Sequence, residues 1–554
     1  MMMNKKKIEV LLFFGLFLLT DIVYAQKNTV VKDEHQKMQE FLLSAYNPPG
    51  TSTATPPYAD TLFIDYKNAG FDNFLWIYDD DSLLQKIHQY GFKYFVNIQS
   101  IGNENDDIEF LLRGENEEAP PVITEDLLQE LDTLVDKYKD DPDLLGYYIC
   151  DEPFASGFDN IAKVVARIRE KDPTRICYVN LWSYFVNEEG DNTPVEGDEN
   201  YIENFIQKTN IDLLSSDRYN FYNLLEDGDY DDNEEYFNQI ERIRKKALKY
   251  DIPFCNIVQA VGTNGTSVSW DSQGDGEHLD WRTPSKAEHR WLVYSSLAYG
   301  VHGIVWFHWD CCDWGVIENP DRDSIYPSLQ SINQEIDSLK QIMFGLKTKN
   351  VYHLNGKQIS RLTNTPDIIL EASQNISLIA GSFENENDNE NYFMLMNKDY
   401  YNSVSAQIKI NYLLNNFEVF NVNDNIWEIV PFETESSGDV FDINLRAGGG
   451  KLYRFNGNKL APSEFDFSIS PNPFETSTTI SYSVPEMYNG ENYHNIKLNI
   501  YDLQGKKVAE LVNEKQAAGK YFVEIKANSL SGGVYLCTLN IDEEKTTKKI
   551  TVLN

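Results

Sequence analysis

The chain has 554 residues, too many for one compact core, so two to four domains are expected. Apolar residues make up 42% and aromatic residues 13%, which supplies core material and excludes a wholly disordered or fibrous chain. Acidic residues outnumber basic ones 87 to 48, a formal charge of −39, which argues against nucleic acid or an anionic membrane surface as partner. Six cysteines over this length do not make a disulfide scaffold.

The N-terminus reads Lys5-Lys6-Lys7, then an apolar run from Val10 to Leu19, then Val23-Tyr24-Ala25-Gln26. A positive flank, a short apolar core and a small residue before the break predict a signal peptide over residues 1–25. The run falls short of the roughly 20 residues that cross a bilayer. No later stretch is apolar enough to span, so the mature chain is expected to have no transmembrane segment.

Residues 35–345 alternate β-rich runs with helical spacing. The runs are Leu42–Tyr46, Asn73–Ile77, Lys93–Ile98, Leu145–Cys150, Arg175–Asn180, Asp212–Ser216, Pro253–Val258 and Gly303–Phe307. Helical periodicity appears in Leu127, Leu131, Leu134, Val135 and Tyr138, in Ile161, Val164, Val165 and Ile168, in Phe237, Ile240, Ile243 and Ala247, and in Leu329, Ile332, Ile336 and Leu339. This pattern predicts a (β/α)₈ TIM barrel, a member of the α/β class. A doubly wound sheet has the same periodicity, but no Gly-rich phosphate loop follows the first run. In a barrel the strand ends share one rim, which would bring together Asn97, Asp151-Glu152, Asn180, Asp217, Gln259 and His308. The connections after the strands are acidic at Asn103–Asp107, Glu115–Glu118, Asn187–Asn200 and Glu226–Glu235. None has the full spacing of a calcium loop, and they read as a solvated surface.

From 347 to 457 the helical pattern stops and alternating strands follow, closing with Leu445-Arg446-Ala447-Gly448-Gly449-Gly450-Lys451-Leu452-Tyr453-Arg454. A β-sandwich is expected there, with structural support as its expected role. Residues 463–554 carry Ser470-Pro471-Asn472-Pro473-Phe474, then Ile500-Tyr501-Asp502-Leu503-Gln504-Gly505-Lys506-Lys507-Val508, Gly533-Val534-Tyr535 and Lys548-Lys549-Ile550-Thr551-Val552. Short strands with Pro and Gly turns predict a second small sandwich. These segments in this order closely resemble the C-terminal sorting domain of Bacteroidetes type IX secretion cargo. That resemblance implies the type IX machinery as a partner and a destination at the cell surface or beyond.

The sharpest local signal is Gly146-Tyr147-Tyr148-Ile149-Cys150-Asp151-Glu152-Pro153, an apolar strand running into two carboxyls and a Pro that stops pairing. A carboxyl at the edge of an aromatic-lined cleft is partly desolvated, which raises its pKa toward that of a general acid. The stretch resembles the fourth strand of retaining barrel glycosidases, and the resemblance implies that Glu152 protonates the leaving sugar oxygen. A second carboxylate is needed. Those families carry a nucleophilic Glu on the seventh strand, where this chain has Gln259. Asp217, in Ser215-Ser216-Asp217-Arg218-Tyr219, and Asp151, beside Glu152 as in substrate-assisted hexosaminidases, are the two replacements. Trp306-Phe307-His308-Trp309-Asp310 ends the eighth run; flat rings stack on sugars, and His308 and Trp309 join Trp76, Asn97, Asn180, Tyr219 and Gln259 as candidate substrate contacts, while Phe307 reads as core.

The resulting expectation is a secreted glycoside hydrolase acting on a poly- or oligosaccharide. The alternative is a non-catalytic glycan-binding or adhesion protein on a degenerate barrel, supported by the missing seventh-strand Glu. No cofactor is expected. Vicinal Cys311-Cys312 with His308 and Asp310 is too thin a set for a metal, and no peptidase motif is present.

Overall fold

The computed structural model describes residues 38–553 apart from 52–56, 104–105, 115–120, 183–197, 225–227, 232, 264–279, 311–314, 318, 320, 356–357, 361–367, 374–375, 386–387, 389, 436–437, 460–466, 485–492, 518 and 543. The expected signal peptide, Glu115–Glu118 and Cys311-Cys312 lie outside the described residues, as do parts of the other acidic runs.

Eight parallel strands form one sheet: β1 (Leu42–Ala45), β2 (Asn73–Ile77), β3 (Lys93–Asn97), β4 (Leu144–Asp151), β5 (Ile176–Leu181), β6 (Leu213–Asp217), β7 (Phe254–Gln259) and β8 (Gly303–Phe307). Each lies within one or two residues of its expected run. Pairing proceeds from β2 through β3 to β8, and β8 pairs with β1. The last gap is closed largely by side chains. Leu43 N donates to Asn73 Oδ1 at 3.1 Å, Ser44 Oγ donates to Asn73 O at 2.8 Å, and Asp72 N donates to Leu43 O at 3.2 Å. The result is a barrel with one seam.

A helix follows every strand: α1 (Asp60–Asn68), α2 (Asp81–Tyr90), α3 (Glu125–Tyr138), α4 (Phe158–Lys171), α5 (Asp198–Thr209), α6 (Asn233–Tyr250), α7 (Lys286–Tyr299) and α8 (Arg322–Phe344). The apolar stripes are the buried faces, as in Leu127, Leu131, Leu134, Val135 and Tyr138 of α3. Side-chain caps start several helices. Asp80 accepts from Ser82 N and Leu83 N at 2.7 and 3.0 Å before α2, and Ser285 with Glu288 forms a capping box before α7. Helix α7 is buried on all sides from Glu288 to Tyr299 because a second layer covers it. Gly381 approaches so closely that a Cβ there would meet Ala298 O at 1.8 Å, and Trp291 Nε1 donates to Lys398 O at 3.0 Å.

That covering layer is one of two antiparallel sheets, of seven and four strands, built from Lys347 to Lys459. Tyr352, Phe393, Phe417, Phe441, Tyr453 and Phe455 fill the core between them. Two further antiparallel sheets, of three and four strands, span Phe467 to Val552 around a core of their own. Here the motif blocks have visible work. Asn472 donates through Nδ2 to Lys549 O at 2.7 Å and accepts from Thr551 N at 2.9 Å, so the first block pins the last strand. Asp502 accepts from Gln504 N and Lys506 N at 3.0 and 2.9 Å and closes a turn that Gly505 completes at φ +83°. Among the described residues no helix is long and apolar enough to cross a membrane.

Candidate active site

The C-terminal ends of the strands carry an aromatic cup. Tyr46, which follows β1, packs edge-on to Trp76 of β2 with ring centroids 4.2 Å apart, and lies 5.4 Å from Phe307 of β8. Trp76 lies 4.9 Å from Tyr148 of β4, and Tyr148 is 5.4 Å from Tyr178 of β5. Phe307 and Trp281 each stand 4.7 Å from Tyr219.

Within this setting β4 delivers two carboxyls. A regular strand points alternate residues to opposite faces, which would send Tyr148 and Asp151 apart. The β4–β5 register shifts between Tyr148 and Cys150, a bulge that restores Asp151 to the face of Tyr148. Tyr46 OH proves the phase: it donates to Asp151 Oδ2 and lies 3.1 Å from Tyr148 OH. Because the Tyr46 proton goes to the carboxylate, Tyr148 donates to Tyr46. Asn180 of β5 adds a bond from Nδ2 to Asp151 Oδ1 at 3.0 Å, and its own Oδ1 accepts from Ser215 Oγ at 3.4 Å.

Glu152 leaves the strand at φ +48°, a left-handed conformation that costs a non-glycine residue about 1–3 kcal/mol. The turn is held down on several sides. Glu152 N donates to Asn180 O at 2.8 Å, Tyr201 OH donates to Pro153 O at 2.6 Å, and Phe154 N donates to Arg113 O at 2.7 Å. A Cβ on Gly157 would meet Leu112 O at 2.1 Å, so only glycine lets the short helix Ile108–Arg113 come this near. That approach sets Arg113 Nη2 3.9 Å from Glu152 Oε2.

Asp217 ends β6 and is 8% exposed. Its Oδ1 is buried with no donor in full hydrogen-bonding geometry among the described residues, while Tyr219 and Asn180 stand near enough to favour its ionised form. Burial, then the charge of Asp151, pushes the Asp217 carboxyl up to about 7. Burial, then the charges of Asp217 and Asp151, raises Glu152 well above the usual carboxylate range, against a weaker pull from Arg113. Burial also raises Asp151, but the bonds from Tyr46 and Asn180 favour its ionised form. The three carboxyls thus lie within one another's fields. They are also chemically distinct: Asp151 is clamped by donors, burial and like charges favour the protonated form of Glu152, and Asp217 Oδ1 has no donor in full hydrogen-bonding geometry among the described residues.

Other expected contacts divide. Trp76 (5% exposed) lines the cup with its Nε1 unpartnered among the described residues. Asn97 ends β3, 3% exposed, and its Oδ1 accepts from Gln99 N at 2.8 Å. His308 lies 4.8 Å from the Phe307 ring, and burial lowers its pKa to about 3, so the imidazole is neutral. Two candidates are drawn away from the mouth. Trp309 packs 5.2 Å from Tyr66 and 5.3 Å from Phe71, in the layer between barrel and helices. Gln259 is fully buried, its Oε1 accepting from Phe221 N at 3.2 Å and its Nε2 donating to Phe221 O, Val261 O and Arg282 O at 3.2, 3.3 and 2.9 Å. It fastens two loop segments and has no group left for a sugar. Phe307, expected as core, packs against the core and also borders the cup.

Tyr46, Tyr148, Trp281 and Arg113 were not among the candidates. Tyr46 closes the first β-rich run, so the criterion that selected Asn97 and Asp217 would have found it. The one trio of potential metal ligands among the described residues, His88, Asp141 and Asp143, gathers around Asp141, which precedes β4 at the opposite rim, with His88 Nε2 2.8 Å from Asp141 Oδ2.

Fold and rim together define a (β/α)₈-barrel protein whose polar cluster lies where such barrels carry their active sites. Residues 468–553 match the family described as the secretion system C-terminal sorting domain, which directs the chain to export. No curated protein matches the chain. Among solved structures it is similar to one described as a glycoside hydrolase, at 14% identity and TM-score 0.46 over 76% of this chain and 93% of that one. A glycoside hydrolase family 5 protein from Bacteroides vulgatus is 13% identical, with TM-score 0.46 over 78% of this chain and 96% of its own. Alpha-L-fucosidase isoenzyme 2 from Paenibacillus thiaminolyticus is 8% identical, with TM-score 0.44 over 76% and 100%.

Proposed function

We propose that the protein is a glycoside hydrolase exported by the type IX route, with Glu152 as general acid and Asp217 as the second carboxylate. The observation that carries this reading is the set of three mutually interacting carboxyls in an aromatic barrel mouth, with proton affinities driven apart. Glycosidic cleavage needs one carboxyl that holds a proton for the departing oxygen and another that stabilises or attacks the anomeric carbon, directly or through water. Glu152 has the raised pKa and the sparse hydrogen bonding of a proton donor. Asp217, pushed up to about 7, is matched to accept a proton near neutral pH. Asp151, whose ionised form the bonds from Tyr46 and Asn180 favour, stabilises positive charge developing on the sugar ring when it is ionised. The cup supplies flat faces for pyranose rings.

The test is release of reducing ends from a glycan panel by the wild-type protein and by Glu152→Gln. Release by the wild type and a loss of about 10²–10⁴-fold in the variant is expected. Equal release by both removes Glu152 from the mechanism. A second reading, glycan binding without cleavage, draws on β7, which ends in an amide locked to backbone groups. It requires binding with no release by either protein.

A further inference from the structure

The mouth is more acidic than the chain's overall charge requires. By sequence, the connections leaving the C-terminal ends of β1 to β8 contain no lysine, and their only arginines are Arg113, Arg218 and Arg282. Arg282 is committed to Glu288 at 2.9 and 3.0 Å, Arg218 is buried, and Arg113 lies 3.9 Å from Glu152. The barrel's lysines collect at the other rim, among them Lys67, Lys93, Lys139, Lys171 and Lys249. The helix macrodipole accounts for those in last helical turns, but it does not account for connections of every length lacking lysine.

A second observation points to what would compensate this charge. Asp217 is more than nine-tenths buried, and its Oδ1 has no donor in full hydrogen-bonding geometry among the described residues. A buried acceptor in that state is costly and is satisfied by a donor, best of all a charged one.

Resting on the reading of this mouth as a sugar cleft, we infer that its substrate is a cationic oligosaccharide, one whose residues carry free amino groups, with an ammonium set among Asp151, Glu152 and Asp217. An ammonium brings three donors and a full charge. An N-acetylated sugar brings one neutral amide donor, a neutral hexose brings hydroxyls alone, and a uronate or sulfated sugar brings a like charge that the site repels.

The test uses the full chain with Glu152→Gln, which keeps the side-chain shape and holds oligosaccharides uncleaved. Calorimetry with β-1,4-linked trimers of glucosamine, N-acetylglucosamine and glucose at pH 6 reads the preference. The glucosamine trimer is expected to bind at least about tenfold tighter than either other trimer, about 1.4 kcal/mol. The ratio should shrink in 1 M NaCl, where the Debye length is about 3 Å. Adding Asp217→Asn, which removes the carboxyl that a bound ammonium would draw into its ionised form, should lower the ratio too. Equal or weaker binding of the glucosamine trimer, or no binding of it, overturns the inference. Reducing-end release by the wild type separates the two ideas. Preferential binding without release from any trimer defeats cleavage and leaves the inference standing. Preferential cleavage of the neutral or N-acetylated trimer defeats the inference and leaves cleavage standing.

Discussion

Gln259→Glu would place a carboxylate at the end of the seventh strand, and the structure predicts that it damages the protein. The Gln259 amide nitrogen faces three carbonyl oxygens, of Phe221, Val261 and Arg282, at 3.2, 3.3 and 2.9 Å in a fully buried position. A carboxylate there sets negative oxygen against three acceptors. Protonation relieves the charge, yet a carboxylic acid has one proton where the amide has two, so one more buried carbonyl is left without a donor. An unsatisfied buried polar group costs about 1–3 kcal/mol, and a loss of about that size is expected. Thermal and urea unfolding followed by tryptophan fluorescence would show a lower midpoint for the barrel's transition. Reducing-end release should not rise above wild type. A variant of wild-type stability with increased hydrolysis would refute this placement of Gln259 and return β7 to the catalytic machinery.

Asp217 has a folded-state pKa of about 7, above the roughly 3.9 of an unfolded aspartate, so its contribution to stability declines as pH rises between those values. Asp217→Asn should therefore unfold at a higher temperature than wild type at pH 8, with the gap closing toward pH 4; a less stable variant at pH 8 contradicts the assignment. Tyr46→Phe removes a donor that favours ionised Asp151. Its rate–pH profile should lose activity on the acidic side at a pH about half a unit to one unit higher, with kcat down about tenfold and stability changed by about 1 kcal/mol; an unmoved profile speaks against coupling through Asp151. Trp309→Ala should cost about 3–5 kcal/mol in unfolding measurements and leave KM unchanged, because the indole packs on Tyr66 and Phe71.

The eight strands were legible because each is a short apolar run followed by a polar residue and then helical spacing. Which face a strand residue takes was not. Strands of a parallel barrel are buried on both sides, so their sequences do not alternate, and side-chain direction leaves little trace. Trp306 and Phe307 show the consequence. Trp306 points outward to Asn333, at 2.9 Å, and Phe307 inward to Tyr46 and Tyr219. The bulge near Ile149 shifts the phase of β4, and no motif announces it; only the partner strand reveals the offset. Glu152 and Asp217 were legible as carboxyls at strand ends. That Asp151 joins them depends on the bulge, and the fate of Gln259 depends on loop carbonyls brought from Phe221 and Arg282.

Proton donation by Glu152 is tested most directly by leaving-group dependence. Wild type and Glu152→Gln are compared on glycosides of one sugar that differ only in the acidity of the departing alcohol. The account predicts a loss of about 10²–10⁴-fold on an alkyl glycoside, which needs a proton to leave, and little loss on a dinitrophenyl glycoside, which does not. An equal loss on both, or on neither, contradicts it.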